Sequence, residues 1–410
     1  MPDSQGRTKA IVNGRLALPD RIVDGQALLI SEGRIAGLVA PAAVPPEAEV
    51  TDAAGRLVTP GLIDLHIHGA RGYTFNDATP AAFAAITAAA ASAGVTGLLA
   101  TTATGPLDQL EAALRQAAAW VRHGIGDEET RPLGAQLLGV HVEGPYFAPS
   151  QAGAQDPAHL RIPTDGAYAR LLDYTEVIRI FTYAPELPGA LALTQRLVRS
   201  GIVPAAGHSA AREEDLRPHL DAGLRHMIHI WSGQSSTIRE GPWRKPGLLE
   251  VSLVDERLTV EMIADGKHLP STLMRLAYKC VGPDRLCLIS DATSGAGLPE
   301  GARFRMAELE YEVRDGVGML LDRSAFAGST TLLNRMVRIV IEQVGVPLVE
   351  AVRMATLTPA RVIGVDGRKG SLDVGKDADV VIFEENWQPW RVMIGGVWLP
   401  VAAHVETGRQ

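Results

Sequence analysis

The chain has 410 residues, 46% hydrophobic and 21% charged, the balance of an ordinary soluble globular protein with room for one large domain and a smaller companion. Its 39 Lys and Arg stand against 47 Asp and Glu, a net charge of -8 without a basic run, which excludes nucleic acid as the main partner while leaving room for a small anionic ligand. Two cysteines, Cys280 and Cys287, are too few for a disulfide framework and point to a reducing compartment.

The polar start, MPDSQGRTKAIVNG, lacks the apolar stretch of a signal peptide, so a cytoplasmic protein is expected. From about Ala10 to Val58 short apolar runs alternate with turns, and Asn13-Gly14 and Glu32-Gly33 read as tight hairpin connections of a small β domain. The uncharged stretch from Ala78 to Pro106 exceeds the roughly 18 apolar residues that suggest a membrane helix. Its punctuation argues otherwise. Thr79-Pro80 reads as an N-cap and first turn, and Gly94 as a stop before GVTGLLATT, so a helix and then a buried strand are expected, with no membrane span.

Beyond this point apolar runs alternate with helical stretches such as LDQLEAALRQAAAWVRHG and PGALALTQRLVRSG. The eight runs are RLVTPGLIDLHIH, GVTGLLATTAT, AQLLGVHVEG, VIRIFTYAPE, GIVPAAGHS, RHMIHIWS, LTVEMIADGKH and DRLCLISDAT. Near-continuous apolar strands with helical crossovers mean a parallel sheet buried on both faces, and their count predicts an α/β fold with a closed (β/α)8 barrel. DADVVIFEE and RVMIGGVWLPV near the C-terminus resemble the first β segment. Residues 1–57 and 366–410 are therefore expected to build one β-sandwich beside a hydrolase barrel over 58–365.

The chemistry lies at the ends of these runs, in His66 and His68, Glu143, Glu186, His208, His229, His268 and Asp291. In a barrel the C-terminal strand ends line one mouth, where the active sites of this fold sit. His66 and His68 share a face by the period of two, so both point inward, and two imidazoles on one rigid strand suit zinc or a similar divalent ion. In GVHVEGPY the same period puts His141 and Glu143 on one face, with Glu143 nearer the mouth as a ligand and His141 deeper, as a core residue. His208 follows small residues that leave space. His226 and His229 are three apart and should face opposite ways, with His229 entering the site and His226 facing the helices. Asp291, before a Gly-rich loop, is placed to exchange a proton with water and a leaving group, and His268 to orient substrate. His123, His159, His219 and His404, set among charged residues, read as surface residues.

The order HxH, HVEGP, YAPE, GHS, H-I-W, ADGKH, SDAT, AGST, MATLTPARVIG and KGSLDVGKDADVVIF resembles the N-acetylglucosamine-6-phosphate deacetylases of the amidohydrolase superfamily over nearly the whole chain. The resemblance implies a barrel with a β-sandwich, a homodimer, and one or two divalent ions per subunit, zinc first, with iron, cobalt or manganese as alternatives. It implies Glu143, His208 and His229 as main metal ligands, His66 and His68 as ligands of a second position, Asp291 as the catalytic acid and base, and His268 as a substrate contact. It also implies Arg244 as the arginine that reaches the sugar phosphate of the neighbouring subunit. Two places depart from the family. QAGAQDP carries Gln155 where the family has a histidine that polarises the substrate carbonyl, and WSGQSSTIREGPWRKPG puts Ser232 and Gly233, with a longer loop, where a phosphate-holding Asn-Ala-Met stretch is expected.

The implied activity is metal-assisted removal of acetate from an amino sugar phosphate, N-acetylglucosamine 6-phosphate first. Because the departures fall at Gln155 and Ser232, deacetylation of a different N-acyl amino sugar or small amide is the alternative. A non-catalytic sugar-phosphate binder is disfavoured by the full ligand set with Asp291. A structural metal protein is disfavoured because such sites close within one small module.

Overall fold

The computed structural model describes residues 8–123, 134–306 and 309–400. Eight parallel strands follow one another around a barrel in chain order: β1 (Leu62–Ile67), β2 (Val95–Thr102), β3 (Gln136–Glu143), β4 (Ile178–Tyr183), β5 (Val203–Ala206), β6 (His226–Met227), β7 (Thr259–Ile263) and β8 (Leu286–Ile289). The ring closes just past the ends of β8 and β1, where the Asp291 N–H donates to the His66 carbonyl at 2.8 Å and the His68 N–H to the Ala292 carbonyl at 2.8 Å. All residues of β1, β2 and β8 are buried, which explains their unbroken apolar character. The expected eight-stranded barrel is thus observed, with all eight runs supplying its strands.

The Ala-rich stretch folds as a helix, Pro80–Ser92, followed by β2, with the Thr79 side chain accepting from the Ala82 N–H at 3.2 Å. Among the described residues no helix is long and apolar enough to cross a membrane. Crossover helices bury one stripe. In Ala190–Arg199 the inward residues Ala190, Leu193, Thr194 and Leu197 recur at helical spacing, and each buried leucine contributes about 2 kcal/mol. In Glu213–Ala222 the same logic turns Leu216, His219 and Leu220 inward. His219 is therefore buried, against the expectation of a surface residue, and its Nδ1 lies 2.7 Å from Thr194 Oγ1 beside the Tyr183 hydroxyl. His159 is half-buried; the His123 side chain and His404 lie outside the described residues.

A smaller body is built from both ends of the chain. One sheet carries Arg34–Val39, Ala27–Ser31, Lys9–Val12 and Glu49–Asp52; the other carries Val397–Trp398, Pro389–Ile394, Val380–Phe383, Leu57–Pro60, Arg15–Ala17 and Ile22–Val23. The two pack around Ile11, Leu16, Leu28, Ile30, Val58, Val380 and Ile382. Leu57–Pro60 pairs with Val380–Phe383, so the strand entering the barrel is tied to the chain leaving it. Glu32-Gly33 makes the expected two-residue hairpin, with φ of 51° and 73°. Asn13-Gly14 does not. Lys9–Val12 and Arg15–Ala17 belong to different sheets, and the turn carries the chain across the sandwich where a Cβ on Gly14 would meet Val58 Cγ2 at 2.6 Å.

Two antiparallel insertions rise above the barrel mouth. Four strands, Arg303–Met306, Leu309–Arg314, Val317–Leu320 and Phe326–Ser329, form a sheet after β8, with a core of Phe304, Met306, Tyr311 and Val313. Ile238–Glu240 and Trp243–Lys245 form an exposed hairpin after β6.

Candidate active site

Strand ends supply the floor of the mouth. His208 Nε2 and His229 Nε2 lie 3.2 Å and 3.0 Å from the same oxygen, Glu143 Oε1, and His66 Nε2 lies 3.6 Å from it. His68 Nε2 lies 3.3 Å from Glu143 Oε2, from Asp291 Oδ1 and from His66 Nε2. The far sides of three rings are pinned. His208 Nδ1 faces the Gln151 carbonyl at 2.8 Å, His229 Nδ1 the Ser232 carbonyl at 3.1 Å, and His66 Nδ1 the Glu261 carboxylate at 2.8 Å. Each acceptor requires an N–H on that nitrogen, so in the neutral ring Nε2 carries only a lone pair.

Three bare lone pairs aimed at carboxylate oxygens are mutually repulsive unless positive charge lies among them. His66, Glu143 and His229, and separately His66, His68 and Asp291, offer ligand atoms within 4.8 Å of one another. This nitrogen and oxygen set, buried and with pinned tautomers, fits a divalent ion of the zinc type.

The sequence pattern of the Amidohydrolase family matches residues 57–399. An N-acetylgalactosamine-6-phosphate deacetylase of Escherichia coli O157:H7 is 34% identical over 383 residues, covering 93% of this chain and 97% of its own length. An N-acetylglucosamine-6-phosphate deacetylase of Vibrio furnissii is 33% identical over 349 residues, 83% of this chain and 84% of its own. The chain belongs to the amidohydrolase family. The solved N-acetylglucosamine-6-phosphate deacetylase of Pasteurella multocida has the same architecture, with a TM-score of 0.88, 27% identity, and coverage of 95% of this chain and 99% of that one. With deacetylases as its relatives over nearly its whole length, the chain is a hydrolase acting on amide bonds.

In this amidohydrolase the floor opens into a cavity of about 210 Å³ lined by all the expected site residues except His66, which lies beneath it, and Arg244, which stands away from it. Arg244 sits on the exposed hairpin, where among the described residues its guanidinium reaches only the Pro242 carbonyl, at 3.4 Å. Gln155 is locked at both ends, its Oε1 accepting from the Thr104 N–H at 2.8 Å and its Nε2 donating to Glu143 Oε2 at 2.6 Å. His268 Nδ1 faces Asp265 Oδ2 at 2.8 Å, and its ring meets Phe326 of the inserted sheet edge-on. Asp265 is itself held by the N–H groups of Lys267 and His268 and by the Ser329 hydroxyl.

The backbone is strained where the chemistry concentrates. His208 and Asp291 each adopt a φ of 45°, unfavourable for residues with a Cβ and tolerated where the surroundings fix it. Gly328 presses on Asp291, since a Cβ there would meet its carbonyl oxygen at 2.4 Å, and one on Gly233 would meet His208 Nδ1 at 2.8 Å. Burial alone would raise the carboxyl of Glu143, but the charge of His66 and hydrogen bonds from His208 and His229 hold it well below the usual range. Burial likewise opposes ionisation of Asp291, and His68 and His66 outweigh it, so Asp291 stays a carboxylate. Against its own burial, His68 is pushed up to about 9 by hydrogen bonds to Asp291 and Glu143.

Below the floor the sequence reading missed a layer. His141 is a core residue as expected, with Nδ1 on the Leu65 carbonyl and Nε2 on Thr182 Oγ1, and burial lowers it to about 3, so it stays neutral. His226 does not face the helices. β6 ends at Met227, so the alternation does not reach His229, and His226 points into the barrel, where its Nε2 lies 3.0 Å from Glu261 Oε1. Glu261, together with Asp265, went unrecognised. The signal for Glu261 was a charged residue in the middle of the apolar run LTVEMI. Glu186, at the end of the fourth run, accepts from Ser209 Oγ and the Ala210 N–H and fastens the loop behind His208.

Proposed function

We propose that this chain is a cytoplasmic, metal-dependent deacetylase that converts N-acetylglucosamine 6-phosphate to glucosamine 6-phosphate and acetate. The observation that carries the reading is the convergence of four imidazole Nε2 atoms and two carboxylates at one end of the cavity, with the tautomers of His66, His208 and His229 fixed from behind. The donor set supports Glu143, His208 and His229 as holders of one ion and His66 and His68 as holders of a second, with zinc the preferred metal. Bound there, a divalent ion would lower the pKa of water toward about 7 and withdraw charge from the amide carbonyl oxygen.

The chain's own residues handle the proton and the sugar. Ionised Asp291 accepts a proton from water as its oxygen attacks the acetyl carbon, then returns it to the sugar nitrogen as the C–N bond breaks, leaving acetate and an amine. His268, with Nδ1 donated to Asp265, presents Nε2 to a sugar hydroxyl. Gln155 carries a second N–H with which to steady the acetyl oxygen, and Ser232 offers its hydroxyl and Gly233 its backbone N–H to the phosphate. Arg244 stands too far out to serve its own cavity, which supports a homodimer in which it reaches the partner's phosphate.

Incubating the purified chain with N-acetylglucosamine 6-phosphate, its 4-epimer and the unphosphorylated sugar, with acetate as the readout, tests this. Expected is release from the 6-phosphate, abolished by a chelator and restored by zinc. Release from the unphosphorylated sugar alone, or none from any, would sink the proposal, and faster release from the 4-epimer would move the substrate to N-acetylgalactosamine 6-phosphate.

A further inference from the structure

We propose that Glu261 is a positioning residue that sets whether the His66 and His68 pair holds an ion, an inference that rests on the metal reading above. Glu261 is fully buried on β7 beneath the cavity, and its two oxygens are divided. Oε2 takes His66 Nδ1 at 2.8 Å and Oε1 takes His226 Nε2 at 3.0 Å, while Thr259 Oγ1 lies 2.7 Å from His226 Nδ1 and fixes that ring in turn. Among the described residues no Lys or Arg pairs with this carboxylate.

The rings of the floor are therefore backed by unlike groups. His208 and His229 lean on neutral backbone carbonyls, whereas His66 leans on a buried charge. A carboxylate behind a ligating imidazole fixes its tautomer and raises the basicity of the opposite nitrogen, and losing such a partner weakens metal affinity about 10–100-fold. The adjacent His141 does not compete for the contact, because both its nitrogens are engaged elsewhere. A buried carboxylate without a cationic side chain is also costly unless positive charge lies close. A ligating His66 is neutral, and the positive charge next nearest to Glu261 is then an ion held beyond the ring, where Nε2 meets His68 and Asp291.

The test is calorimetric titration of the metal-free full chain with zinc alone. Wild type should show two classes of site. Glu261→Gln should leave the tighter class unchanged and weaken the other about 10–100-fold. His66→Asn should remove that class and make Glu261→Gln silent when the two are combined, which a merely structural role for Glu261 would not produce. Equal second-class affinity in wild type and Glu261→Gln overturns the inference while leaving the deacetylase reading intact, as does a single class in wild type; no zinc binding overturns both. Should Glu261→Gln fail to fold, nitrogen-15 histidine spectra of zinc-loaded wild type decide the matter. Expected is His66 with its proton on Nδ1, assigned by loss of the signal in His66→Asn; a proton on Nε2 overturns the inference.

Discussion

On the floor of the mouth, His66 and Glu143 stand on barrel strands and Asp291 two residues beyond one, and each side chain has a polar partner. On the rim, Gln155, Ser232 and Arg244 hang from loops and from a hairpin that touches little else. The floor is set by the barrel strands and the rim by the segments between them. On the proposed function, reaction chemistry belongs to the floor and choice of substrate to the rim, because catalysis needs atoms held within a fraction of an ångström while a sugar can be gripped in more than one way. Substitutions in the two layers should separate turnover from recognition.

The largest effect should come from the floor. Asp291→Asn keeps the shape and removes the proton acceptor, so kcat should fall about 10²–10⁴-fold, with metal content by elemental analysis unchanged. A variant that keeps the wild-type rate would remove Asp291 from the chemistry. On the rim, Arg244→Ala should raise KM for the 6-phosphate about 10–100-fold, the loss of a charge-assisted contact, while leaving kcat within a factor of a few. Mixing Arg244→Ala subunits with Asp291→Asn subunits should restore one good site per hybrid dimer. If the mixture is no more active at low substrate than its parts, Arg244 does not act across an interface.

Gln155 tests where the boundary between the layers lies, since it hangs from a rim loop yet grips Glu143 of the floor. Gln155→Leu would leave the Thr104 N–H without its acceptor and Glu143 Oε2 with only its longer contact to His68, so unfolding free energy by denaturant should drop about 1–3 kcal/mol. Gln155→Glu keeps an acceptor for Thr104 but sets a second carboxylate against Glu143, and should weaken zinc binding more than Gln155→Leu does. If both variants change only KM, Gln155 belongs with the rim.

The floor was also the layer legible in the sequence. A barrel strand announces itself as an apolar run, and a histidine or carboxylate at its end has few places to point, so the sequence alone places His66, Glu143, His208, His229 and Asp291 at the mouth. Periodicity failed where strands stop short. β6 spans only two residues, and the alternation that should have turned His226 outward does not hold beyond Met227. The resemblance located Arg244, but not the hairpin that carries it, since TIREGPWRK lacks an apolar face. The sheet over 303–329 was readable in principle, with Asp315-Gly316 as a turn between the alternating segments LEYEVR and VGML. Glu261 escaped because an acid inside an apolar strand has no meaning until its two histidines are brought to it from elsewhere in the chain.

His219 is the control that separates burial for chemistry from burial for packing. On the floor, carboxylates press His66 and His68 upward, against their burial. His219, buried on a helix between Thr194 and the Tyr183 hydroxyl, is pushed below its ordinary value by burial, which its hydrogen bond to the Pro185 backbone and the charge of Asp215 only partly offset. The sign follows. Below about pH 6.5 the unfolded chain takes a proton that folded His219 refuses, so stability should be lost as pH falls through that value toward the folded pKa. The slope from this one group is at most about 1.4 kcal/mol per pH unit, the smallest effect considered. Urea unfolding of wild type and His219→Gln at pH 7.5 and 5.5 isolates it, because the floor histidines contribute equally to both proteins and cancel in the difference. The variant should be the less stable at pH 7.5, having lost the Thr194 contact, and should lose less on acidification. Parallel losses in the two proteins would mean that His219 titrates as an exposed histidine does despite its burial.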